Sequence, residues 1–146
     1  MSIIEWENDS FLLHMPIMDE THKEFVVLVN QLSAASDKEF AALFEHFIEH
    51  TKQHFMQEES FMIETDFPAY SEHRAEHQRI LGEFNQFKKR VDKGLIAFAR
   101  NYINDSMPGW FRLHAATMDS ALAMHLNKTG IIDKKHHQTA THENIY

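Results

Sequence analysis

Apolar residues recur at helical spacing through most of the chain. Phe25, Leu28, Val29 and Leu32 share one face of a first helix that ends near Ala35. Asp19 is its expected cap, and His22 lies one turn ahead of the stripe. Ser36-Asp-Lys-Glu39 is a capping box, and behind it Phe40, Leu43, Phe44, Phe47, Thr51, His54, Phe55, Glu58, Phe61 and Met62 hold helical register. Asp66-Phe-Pro68 breaks the chain into a hairpin. A third helix then starts near Ser71, buries His73, His77, Ile80, Leu81, Phe84, Phe87 and Val91, and ends at Lys93-Gly94. The fourth runs from Leu95 to about Asn127, and Met107-Pro108-Gly109 either kinks it or starts a new helix at Ser106. Residues 1–17 have no sustained period, yet Ile3, Ile4, Trp6, Phe11, Leu13 and Ile17 make them too apolar for a free tail. The pattern predicts an all-α protein: an up-down-up-down four-helix bundle over residues 1–127, with an N-terminal arm (1–17), a kinked or broken fourth helix and a polar C-terminal tail (128–146).

Composition changes this picture mainly by exclusion. Hydrophobic residues at 43% and charged residues at 25% are ordinary for a globular chain. Twelve histidines, twelve phenylalanines and eight methionines beside four glycines and three prolines favour helices. With no cysteine, disulfides, thiolate sites and iron–sulfur clusters are excluded, so any metal must be held by nitrogen and oxygen. A formal charge of −8 opposes binding to phosphate backbones, so no nucleic-acid partner is expected. No apolar run approaches the roughly 20 residues needed to cross a bilayer, and the N-terminus has no basic start. The expectation is a cytoplasmic protein without membrane insertion.

The candidate chemistry sits on the apolar stripes themselves. Residues four apart stack on one helical face, so His54 with Glu58, and His73 with His77, each present two donors to one point. A carboxylate facing the core is costly unless something positive meets it. A lone buried histidine is more often a satisfied core residue than a ligand, but so many convergent polar groups in one core are explained best by metal. His114 and Asp119 are five apart, about 140° off in azimuth on a regular α-helix. They do not form a simple same-face pair. His46 and His50 continue the ladder toward His54 and form rival pairs, set aside because Glu58 would then lose its charge partner. Glu59 points about 100° from Glu58 and is excluded from the same site. His14 and His125 read as surface or packing residues, and His136, His137 and His142 as part of a solvated tail.

Asp19-x-x-His22, His54-x-x-x-Glu58, His73-x-x-x-His77 and His114-x-x-x-x-Asp119, in this order, resemble the hemerythrins, and among them the single-domain bacteriohemerythrins. The resemblance covers roughly residues 3 to 127. It implies two iron ions, cycling between Fe2+ and Fe3+ and joined by a bridging oxo or hydroxo group. His73, His77 and His114 would hold one and His22 and His54 the other, with Glu58 and Asp119 bridging. The iron with two histidines would have an open position, where dioxygen binds end-on and is reduced while both irons are oxidised. Trp110 and Phe111 would either wall the pocket, with Ala115, or serve only as core packing, and Ala115-Ala116, a departure from the bulkier residues of many relatives, would widen the path to the metals. The implied function is reversible dioxygen binding for storage, transport or delivery to an oxygen-recipient protein, without catalysis. The alternatives are an oxygen or redox sensor signalling through a partner protein, and a peroxide- or nitric-oxide-handling di-iron enzyme. No Glu-x-x-His, the motif of oxygen-activating di-iron bundles, occurs.

Overall fold

A computed structural model of the chain describes residues 2–6 and 11–130. Helices α1 (Pro16–Ala34), α2 (Asp37–Glu64) and α3 (Tyr70–Asp92) are followed by a fourth leg in pieces. That leg comprises α4 (Ile96–Asp105), α5 (Met107–His114), a π-helical turn (Ala115–Asp119) and α6 (Ser120–Thr129). Consecutive legs pack as neighbours and α4 closes against α1, giving the expected up-down bundle. Among the described residues no helix is long and apolar enough to cross a membrane. Most of the expected tail, including His136, His137 and His142, lies outside the described residues.

The start of α1 differs from the sequence expectation. The helix begins at Pro16, whose missing N–H and preset φ suit a first helical position. Asp19 is therefore not the N-cap but lies inside the first turn, where its carboxylate accepts from the backbone N–H groups of Leu13 (2.8 Å) and Met15 (3.1 Å). The arm docks through Asn30, whose Oδ1 accepts from the N–H groups of Ile3 and Ile4 and whose amide donates to the Ile4 carbonyl. Ile4 is buried.

Ser36 and Glu39 form both arms of the capping box. α2 closes with Asp66 in the left-handed region (φ 58°), the Phe67 N–H reaching back to the Met62 carbonyl at 2.9 Å. α3 closes the same way at Gly94 (φ 86°), with the Leu95 N–H on the Arg90 carbonyl. The fourth leg is broken rather than smoothly kinked. α4 ends at Asp105 and α5 restarts at Met107, with Pro108 in its first turn, where no N–H is needed.

The apolar interior falls into two clusters. The larger gathers Phe25, Phe44, Phe47, Phe55, Ile80, Phe84 and Phe111, and the smaller Met15, Met18, Phe61, Met62, Leu122 and Leu126. On α1, α2 and the fourth leg, His22, Glu58 and Asp119 fall between the residues of one cluster and those of the other, with His54 and His114 at the near edge of the larger one. A polar band crosses the core.

Candidate metal centre

Four legs supply the band. His22 comes from α1, His54 and Glu58 from α2, and His73 and His77 from α3. His114 ends α5 and Asp119 ends the π-helical turn. Each is at most 6% exposed. The π turn resolves the azimuth difficulty of the last pair. Its wider i→i+5 winding absorbs one residue more than an α-turn, so His114 and Asp119 come to one face and Nε2 approaches Oδ1 at 3.1 Å.

Donor atoms fall into two overlapping groups. Glu58, His73, His77, His114 and Asp119 form one, and His22, His54, Glu58 and Asp119 the other, each with ligand atoms within 4.8 Å of one another. The carboxylates are common to both. Glu58 lies 2.7 Å from His54 Nε2, 3.2 Å from His77 Nε2 and 3.5 Å from His22 and His73, and Asp119 lies 3.0 Å from His22 and 3.1 Å from His73. Yet Nε2 of His22, His73, His77 and His114, both oxygens of Asp119 and Oε1 of Glu58 make no aligned hydrogen bond. Buried polar atoms that crowd together without pairing fit a donor set for metal ions, since burial without a partner costs about 1–3 kcal/mol per group.

Electrostatics agree. Burial opposes the charged form of His22, but Asp119 and Glu58 outweigh it and raise its pKa to about 10. His73 is likewise buried and pushed up to about 9 by the same carboxylates. For His54 burial prevails and lowers the pKa. Burial would raise both carboxylates; instead the surrounding imidazoles hold Glu58 and Asp119 well below their usual range. In the metal-free cluster protons supply the positive charge that a cation would supply.

The rings around the donors are aromatic. Phe55 stacks flat on His77 at 3.7 Å, Trp110 stacks on His114 at 4.6 Å, and Phe111 stands edge-on to His22 at 5.6 Å. Trp110 also donates to Glu76 at 2.8 Å. Ala115 is buried in the larger cluster, whereas Ala116 is exposed and does not border the donors' side of the core.

Glu59 was excluded from the ligand set by its azimuth, and it does sit outside that set. It nonetheless binds the far side of a donor: His77 Nδ1 is 2.9 Å from Glu59 Oε2. Nδ1 of His22, His54, His73 and His114 has no such partner. The available signal was the demand of a ligating imidazole for an acceptor on its other nitrogen. His50, one turn before His54 but outside both donor groups, pairs with Glu24 across α1 and α2, and His125 packs on Phe67 and meets the Thr65 carbonyl.

Residues 14–126 match the Hemerythrin HHE cation binding domain. The chain belongs to the hemerythrin family. A bacteriohemerythrin of Ralstonia nicotianae is 31% identical over 130 residues, covering 89% of this chain and 93% of that protein. One from Aquifex aeolicus is 31% identical over 115 residues, 75% of this chain and 87% of its own length. A solved hemerythrin point variant superposes with a TM-score of 0.75 at 21% identity, over 86% of this chain and 98% of that one, which establishes the shared fold. Against that hemerythrin background, the buried His/Glu/Asp cluster matches a metal-binding site of the family's kind.

Proposed function

We propose that this chain is a reversible dioxygen carrier with a non-haem di-iron centre. The observation that carries the reading is the sharing of Glu58 and Asp119 between two buried donor groups, one with three imidazoles and one with two. His73, His77 and His114 would hold one iron and His22 and His54 the other, with Glu58 and Asp119 shared between the two. When bound, the iron pair supplies the two electrons that dioxygen takes up on binding and returns on release.

The chain's own contribution is to hold that exchange reversible. The group with only His22 and His54 has one imidazole fewer than the other, so an iron held there would have room for dioxygen. Phe111 meets the His22 ring edge-on and Phe25 stacks on Phe111, so hydrocarbon rather than water flanks this histidine. Five imidazoles against two carboxylates give a less anionic set than in oxygen-activating bundles, which favours carriage over catalysis. A cytoplasmic carrier delivering oxygen to a recipient protein accords with these features. The test is the visible spectrum of anaerobically reduced, iron-loaded protein before oxygen, under oxygen and after its removal. A charge-transfer band that appears and then disappears supports carriage, and irreversible conversion to the plain diferric spectrum sinks it.

A further inference from the structure

We propose that the groove between α1 and α2 is an outer site for one divalent transition-metal ion, formed by His46, His50 and Glu24, and that it loads the buried cluster. The groove, about 420 Å3, is lined by His46 and His50 from α2 and by Glu20, Lys23 and Glu24 from α1. His46 and His50 have the same i,i+4 spacing as His73 and His77, which puts two imidazoles on one face. His50 Nε2 lies 3.0 Å from Glu24 Oε1, while His50 Nδ1 is buried with no hydrogen-bond partner. Lys23, the cationic residue of the lining, is directed to the arm, its Nζ 5.8 Å over the Trp6 ring.

A simple inter-helix ion pair would need only His50 and Glu24 and would contribute little at this exposure. It does not account for the second imidazole facing the same groove. Glu24 is 66% exposed and His46 is exposed, so both side chains can close on an ion without disturbing the core. Imidazole with carboxylate suits iron, cobalt, nickel and zinc, and a net charge of −8 favours cations near the surface. From the groove, α2 carries a donor at every turn, His46, His50, His54 and Glu58, each step about 6 Å along the axis. The buried donors are almost wholly enclosed, so an ion needs a route to them. The loading role rests on reading the buried cluster as a two-metal centre; the outer site does not.

The experiment titrates Co2+ alone, without oxygen, into metal-free full-length wild type, His46→Ala/His50→Ala and Glu24→Gln, counting ions by equilibrium dialysis and following uptake by stopped-flow absorption. Any binding by tail histidines is common to all three proteins and cancels. Wild type should hold one weak ion more than the double variant, Glu24→Gln should weaken that ion about tenfold or more, and the double variant should fill its tight sites more slowly to the same final occupancy. Equal weak binding and equal uptake rates would overturn the proposal and leave the groove a helix contact. Loss of the weak ion with unchanged uptake would uphold the site and overturn the loading role. Loss of the weak ion in a protein that never fills two tight sites would uphold the outer site and overturn the two-metal reading instead.

Discussion

Glu58 and Asp119 tie the cluster together: every imidazole in it lies within 3.5 Å of one or the other. Replacing Glu58 by alanine should therefore remove both metals, not one. Metal at 1,000 times its dissociation constant stabilises a protein by about 4 kcal/mol. That increment, read as the difference between unfolding curves with and without chelator, should vanish in Glu58→Ala and persist in His50→Ala. Glu59 acts one step back. Glu59→Ala leaves the His77 Nδ1 without its acceptor and should weaken metal affinity by about 10- to 100-fold, with Glu59→Gln closer to wild type. An unchanged affinity in Glu59→Ala would show that the contact is incidental. The i,i+4 pairs on apolar stripes were legible in the sequence because their spacing alone aims them at one point. Glu59 was not, because azimuth identifies what faces the ion and says nothing of what must face the back of a ligand.

At the scale of elements, most of the helices were legible because their signals are local: the capping box before α2, the Pro68 break, Gly94 after α3. Two features escaped. Pro16 opens α1 a turn early because Ile17 and Met18 already belong to the smaller apolar cluster, which the stripe from Phe25 onward does not reveal. The π turn escaped because a fixed 100° per residue cannot represent it. It behaves as an α-turn carrying one extra residue, so deleting the exposed Ala116 should restore a plain α-helix with His114 and Asp119 still on one face and metal stoichiometry retained. Inserting a second residue beside Ala116 should abolish binding. Metal loss on deletion would mean that the wide turn itself is required. Separately, Gly94→Ala places a Cβ at φ 86° and should cost about 1–2 kcal/mol in a urea titration.

For the whole molecule, the bundle was legible because four amphipathic stripes with short connections have few other ways to bury themselves. The electrostatic cost of what they bury sets the pH response. In the metal-free protein His22 and His73 are raised to about 10 and about 9 from 6.5, so their stabilisation is complete below pH 6.5 and is lost as pH rises through 9 to 10. Glu58 and Asp119 are depressed, so theirs is present above the usual carboxylate values of 4.5 and 3.8 and is lost as pH falls through the lowered ones. His54, lowered by burial, works the other way and costs stability as pH falls below 6.5, so urea midpoints of chelator-treated protein should peak near pH 6.5 and decline toward pH 10, whereas acid should strip metal from the loaded protein as protons compete for the donors. A metal-free protein more stable at pH 9 than at pH 6 would contradict this. The polar band that divides the apolar interior in two has a kinetic counterpart. With metal bound, the two halves are cross-linked through Glu58 and Asp119 and should open together. Without it, the half built on Met15, Phe61 and Leu126 is the smaller cooperative unit, and the amides of α6 should exchange with deuterium well before those of the α2–α3 segment around Phe47 and Phe84.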